Sequence, residues 1–480
     1  MITSRRNALK LALASALAVT GCAAQEQEAT DETTAATNEQ VIEDTSAVAE
    51  RQTITDDTDN GHAIAVSAET ASYQAVDVTK TGDADGDEAD FYGTNAAVYA
   101  EEGATLDLDD ITVTTDGVHA NAVFSYGEGT TVNITDSTIR TSNNCSGGIM
   151  VTGGGTLNAT NLDIHTTGNS SASIRSDRGG GTQSVTGGTY VTDGTGSPVI
   201  YSTASVSVTD ATLVSTASQG VVVEGKNSVA LANCELTASN TTKNSDNSDW
   251  YQAVMIYQSM SGDAAEGEAS FSMAGGSLTN TNGDILFVNN TVATIALSGV
   301  AITNEDTEGV LLRAAAAGWG NEGSNGGHVN LTLSDETIAG NIVVDEVSEL
   351  NLYLKAGTAY EGAIETDSGA AVYVEIESGS TWKLAGDSYV SSLTCEADAI
   401  DLNGFTLTVG DTVYQAGSAS AGTAIEFTVS SGGGMGGAPD GMPGEPPDGG
   451  QGGPGGDGGE PPAKPDGDSG EPPAKPEDSN

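Results

Sequence analysis

Basic residues are scarce in this chain: 15 Lys and Arg stand against 68 Asp and Glu, a formal net charge of −53 over 480 residues. A field of that sign repels phosphate backbones and anionic lipid headgroups, which excludes nucleic acid as a partner and leaves cations or neutral glycans. Aromatics make up only 5%, too few for an ordinary globular core but sufficient where aliphatic side chains stack. The four cysteines and four histidines are scattered singly and give neither a disulfide framework nor a zinc-site spacing. No long run with a 3.6-residue period occurs, which excludes helical repeats. Leucine-rich repeats are excluded by the lack of an LxxLxL frame. No Ser/His/Asp grouping and no phosphate-binding loop is present.

What is present is a repeat. Residues 130–149 read TTVNITDSTIRTSNNCSGGI, in which Val132 and Ile134 alternate with polar neighbours as in a strand with one face inward. Asp136 follows, and Ile139 returns the chain to the interior. The same frame recurs as LDLDDITV from Leu106, LNATNLDI from Leu157, VSVTDATL from Val206 and LTLSDETI from Leu331. The position three before each returning apolar residue holds Asp110, Asp136, Asn161, Gly188, Asp210, Asn233, Gly275, Gly299 and Asp335. All nine are Asp, Asn or Gly, the residues that accept a left-handed backbone at a one-residue corner.

A second apolar beat runs in phase: Val98, Val123, Ile149, Ile174, Val199, Val221, Val254, Ile285, Val310, Ile342 and Ile364, with first intervals of 25, 26, 25 and 25 residues. Such a period means stacked units. The pattern therefore predicts an all-β fold, a single right-handed parallel β-helix of about twelve coils over residues 61–430, each coil holding about three short strands. Residues 64–95 are expected to form an irregular first coil, and Trp382, Tyr389 and Phe405 to cover the far end.

The two ends differ in character. Residues 1–22 read as a lipoprotein signal peptide: Arg5-Arg6 fits a twin-arginine export motif, although the general secretory route stays open, and Val19-Thr20-Gly21-Cys22 fits a lipobox with Cys22 as the lipidated residue. Export to the cell surface follows, with the membrane reached only through the acylated N-terminus. Residues 23–60 are acidic, lack apolar periodicity and read as a disordered tether. Eleven of the twelve prolines lie in residues 431–480, a Gly/Pro/Asp-rich tail that cannot bury a core.

Candidate sites fall on irregular segments. Residues 258–267 and 314–327 leave equivalent corners two coils apart and are expected side by side on one flank. They bring together Tyr257, Asp263, Glu266, Trp319, Glu322 and Asn325, with Arg313 just before the second loop and Trp250 at a neighbouring corner. Aromatics beside carboxylates and amides suit a sugar ring; the competing reading is that Trp250 and Trp319 pin their own loops. Asp83, Asp85, Asp87 and Asp90 surround Gly86 like a calcium loop, the competing reading being a solvated acidic turn.

The repeat frame, the corner residues and the lipobox together resemble bacterial surface lipoproteins of the pectate-lyase-like parallel β-helix superfamily, adhesin-like members above all, over residues 61–430. The resemblance implies a monomeric, non-catalytic surface module for a glycan or for a host or neighbouring cell surface, with no cofactor beyond a calcium ion at most. A calcium-dependent polysaccharide lyase or glycoside hydrolase is the alternative, though no lyase motif surrounds Arg313 and Asp284 and no carboxylate pair has the spacing of a glycosidase. A purely structural envelope protein is the third reading.

Overall fold

The structure is a computed structural model that describes residues 51–86, 88–243 and 247–427. Residues 1–50 with Cys22, Asp87, and the tail from residue 428 lie outside the described residues.

Period-2 alternation builds most coils from three strands, the second and third being continuous in Gly155–Thr166 and Gly181–Thr192. In one coil the three are Val98–Glu101, Thr105–Asp109 and Thr112–Thr115. Each pairs in parallel with its counterpart one coil on: Val98 with Val123, Leu106 with Val132, Val113 with Ile139. Stacking gives a broad sheet of 21 strands, two from each regular coil, and a second sheet of 12 strands. The fold is a parallel β-helix, and the second sheet carries one strand for each of the twelve coils expected. Inward Val, Ile, Leu and Ala residues form one continuous buried core, each large side chain contributing roughly 1.5–3 kcal/mol of burial.

The corners behave as their residue types require. All nine positions, from Asp110 at φ 50° and Asp136 at 49° to Gly299 at 63° and Asp335 at 55°, take the left-handed backbone. The amides also ladder along the stack: Asn161 Nδ2 donates to Asp136 Oδ1 at 2.5 Å and Asn233 Nδ2 to Asp210 Oδ1 at 3.2 Å.

Three details differ from the sequence reading. The inner row of the second sheet runs Ile174, Ile200, Val221, Val254, Leu286, Leu312, Ile342, so Val199, Ile285 and Val310 are displaced from it by one or two positions. Each sits beside another apolar residue, and the apolar beat alone cannot tell the two apart. The coils also begin earlier than residue 61. Gln52–Asp56 pairs in parallel with Val76–Lys80, with Ile54 packed against the core, so residues 52–56 belong to the stack and not to the tether. At the far end Trp382 is fully buried and donates its indole N–H to Gly362 O at 2.9 Å, whereas Tyr389 and Phe405 are exposed. There the chain itself turns back over the broad sheet, where Ile425 exchanges hydrogen bonds of 2.9 and 3.0 Å with the amide of Asn351.

Between its end strands the second sheet is covered on its outer face as well, while Ala65 at one end and Glu365 at the other stay exposed. Its outward row runs Tyr99, Phe124, Met150, Arg175, Tyr201, Val222, Met255, Phe287, Arg313, and all but Arg313 are buried. The short helix Glu88–Tyr92 and the loops at 258–267 and 314–327 supply the cover. Two outer clusters result, one around Tyr99, Phe124 and Met150 and one around Tyr201, Tyr257, Phe287 and Trp319. The broad sheet's outer face stays polar and half-exposed or exposed along Thr131–Thr135 and its neighbours.

Candidate functional site

Where each coil returns to the second sheet there is another left-handed corner, held by His119 (φ 55°), Cys145 (56°), Ser170 (57°) and Gly196 (63°) in successive coils. Backbone bonds stack them in register: His119 N donates to Asn144 O at 3.0 Å and Cys145 N to Asn169 O at 2.9 Å. The corner geometry thus sets an imidazole and a thiol one coil apart on the covered side of the sheet.

Asp90, on the helix above, completes a group in which it and Cys145 are buried and His119 is half-buried. Its Oδ2 meets His119 Nδ1 at 3.0 Å, and its Oδ1 accepts from Asn121 at 3.2 Å and from Arg175 at 3.1 Å. Arg175 also reaches Asp177 at 3.3 Å. One ligand atom each from Asp90, His119 and Cys145 lies within 4.8 Å of the other two. Burial works against the charge on His119, but Asp90 and Cys145 outweigh it and push its pKa up to about 10. Burial likewise opposes the Asp90 charge, and Arg175 and His119 reverse the balance to hold its pKa below the ordinary value. For Asp177 burial wins over Arg175, aided by the nearby carboxylates of Asp90 and Asp263, and its pKa rises to about 7. The difference follows from partners: Asp90 faces two cations and Asp177 one.

Thiol, imidazole and carboxylate together are chemically a nucleophile, a base and an orienting group. Cys145 is only 2% exposed, however, which speaks against its sulfur attacking a substrate. Metal ligation is the other chemistry open to this donor set.

The loop residues expected to bind a sugar are mostly packed away. Tyr257 is fully buried and Trp319 is 7% exposed; their rings stand 4.7 Å apart. Tyr257 donates its O–H to Glu224 Oε2 at 2.9 Å, and Glu224 also accepts from Tyr201 and Ser259. Asn325 donates to Ala317 O and Trp319 O, both at 2.8 Å, and so closes its own loop. Asp263 is tied to Arg178 at 2.6 Å. Arg313 is clamped to Asp284 at 2.6 Å and lies 4.5 Å over the Trp250 ring. Of the eight, only Glu266 and Glu322 are exposed. Tyr257, the last residue of the strand Gln252–Tyr257, meets Trp319 of the second loop, but these aromatics are spent in packing and present no stacking platform. Large apolar rings beside a covered sheet gain more from the second core than from solvent.

The acidic turn also separates. Asp83 and Asp85 line an open surface hollow with Asp59, Asn60 and Glu88, while Asp90 is turned inward with both oxygens engaged. The four aspartates therefore do not form one calcium loop; Asp87 lies outside the described residues.

The Asp90, His119 and Cys145 group was not visible as a motif. His119 and Cys145 stand 26 residues apart at one corner of the repeat, a register that could have paired them, but nothing in the chain announces that Asp90 folds over both.

No protein-family model, no curated protein and no solved structure matches this chain. Its functional reading rests on its own residues.

Proposed function

We propose that this protein is an exported, lipid-anchored surface module that binds an extended glycan without catalysis, and that the contact is made by the outer face of the broad sheet. The observation that carries this reading is an unbroken register of small polar side chains. Thr105, Thr131, Thr156, Thr182, Ser205 and Ser228 share one outward column, with Asp107, Asn133, Asn158, Ser184 and Ser207 beside it. Asn133 Nδ2 donates to Asp107 Oδ1 at 2.7 Å and Asn158 Nδ2 to Asn133 Oδ1 at 2.9 Å, which fixes the amides as a ladder. Hydroxyls and amides repeating at about 4.8 Å offer a polymer repeated hydrogen bonds, each weak and additive along the rod.

This moves the binding reading from the loop flank to the sheet face, because the loop aromatics are spent in packing. Lysis of a polyuronate would need an arginine free to take a proton, and Arg313, held by Asp284 and stacked on Trp250, is poorly placed for that. Binding to a polysaccharide array tests the proposal. The double variant Asn133→Ala/Asn158→Ala is expected to lose about tenfold or more in affinity, and Trp319→Phe to keep it. Binding lost instead in Glu266→Ala or Glu322→Ala would return the site to the loops, and no binding by the wild-type chain would leave a purely structural rod.

A further inference from the structure

The group formed by Asp90, His119 and Cys145 stands apart from the sheet face and has no part in glycan binding. We propose that these three side chains bind one divalent transition-metal ion of the zinc class, which fastens the covering helix Glu88–Tyr92 to the coils beneath it.

Donor type is the first support. Imidazole nitrogen, thiolate sulfur and carboxylate oxygen are the ligands that zinc takes in proteins, whereas a calcium ion would take oxygens alone. Spacing is the second. Two donors on a tetrahedral ion with bonds of about 2.0 Å stand about 3.3 Å apart; Asp90 Oδ2 and His119 Nδ1 stand 3.0 Å apart, and one donor atom from each of the three residues fits within 4.8 Å. An ion would take the place of the proton now shared between carboxylate and imidazole, with the sulfur as third ligand and a water as fourth.

The surroundings of Asp90 divide its two oxygens in the manner of a held ligand. Oδ1 is fixed by Asn121 at 3.2 Å and Arg175 at 3.1 Å, and Oδ2 faces the imidazole. A carboxylate oriented through one oxygen presents the other, as second-shell partners of metal ligands do. Arg175 adds a positive charge near the ion, and Asp177, 3.3 Å from the same guanidinium, offsets it. Finally, histidine and cysteine occupy left-handed corner positions, φ 55° and 56°, where the same corner carries Gly196 two coils beyond Cys145. Glycine takes that backbone without steric cost; the bulkier residues bring donors with them.

The test uses the full-length chain, stripped with a chelator, reloaded with Zn2+ or Co2+ and passed over a desalting column. One zinc per chain is expected to remain bound, and the cobalt form to show a thiolate-to-metal charge-transfer band. Cys145→Ser and His119→Gln should each weaken zinc binding about tenfold or more and abolish or shift that band, with the β-sheet circular dichroism unchanged. Failure of the wild-type chain to retain zinc, or a cobalt band that persists unaltered in Cys145→Ser, would overturn the proposal. The second result would assign the band to another cysteine, such as Cys234 or Cys395. Because the wild-type readouts need no variant, a misfolded substitution cannot shield the idea, and neither readout depends on whether a glycan binds.

Discussion

Arg178 and Asp263, 85 residues apart in sequence, meet through hydrogen bonds of 3.0 and 2.6 Å. The same guanidinium lies 3.9 Å over the ring of Phe91. One side chain therefore holds the covering helix and the loop at 258–267 against the second sheet. The Asp263 side chain is 7% exposed and that of Arg178 41%, so the aspartate depends on the arginine more than the reverse.

Arg178→Ala is accordingly expected to cost about 1–3 kcal/mol, the range for a buried polar group left without its partner. The loss should appear locally, as faster proteolysis within residues 258–267 and a lower melting temperature. Equal protease resistance in the variant and the wild type would show that the loop is held by something else.

The corner positions predict a graded response at Asp136, which sits at φ 49°. Asp136→Gly should be close to neutral, since glycine adopts this backbone freely. Asp136→Val should cost about 1–2 kcal/mol or more, because a β-branched side chain tolerates the left-handed backbone worse than aspartate does, as read from urea unfolding midpoints. A valine variant as stable as the glycine one would remove the steric account of the corners.

Trp319 packs on Tyr257 in the outer cluster. Trp319→Ala should destabilise by about 3–5 kcal/mol through the cavity it leaves, with Trp319→Phe much milder. In a stack whose coils contact only their neighbours, hydrogen exchange should rise around residues 252–257 and 314–327 and stay unchanged near residues 105–135. Wild-type protection throughout in the alanine variant would contradict the packing role.

Glu224 gives a pH dependence. Burial raises its pKa despite hydrogen bonds from Ser259, Tyr201 and Tyr257, so the folded chain keeps a proton that an unfolded glutamate releases above about 4.3. The native state then binds more protons, and stability falls as pH rises from that value through the raised folded one. The stability difference between Glu224→Gln and wild type should therefore grow in the variant's favour from about pH 4 to pH 8. A difference that stays flat across that range would mean Glu224 is already ionised in the fold.

How far the sequence could be read shows at particular positions. Asp136 and Asn161 announced their corners because a left-handed backbone selects residue types locally, and Val132 and Ile134 announced an inward face because strand geometry alternates. The register of Ile200 against Ile174 was not readable beside Val199, since two adjacent apolar residues satisfy the same beat. Trp319 and Tyr257 do meet, as expected, but in a buried cluster and not in solvent. Asp90 was read with its sequence neighbours Asp83 and Asp85, although its partners are His119, Asn121 and Arg175, between 29 and 85 residues away.

The sequence by itself thus determined most of the coil: where the strands of the broad sheet face inward, where its corners turn and about how many turns there are, because these depend on a residue and its immediate neighbours. Only the tertiary structure decided what the outward residues meet. Over the regular coils an outward side chain on the broad sheet reaches solvent and one in the middle of the second sheet reaches a second core, because a helix and two loops fold over the latter.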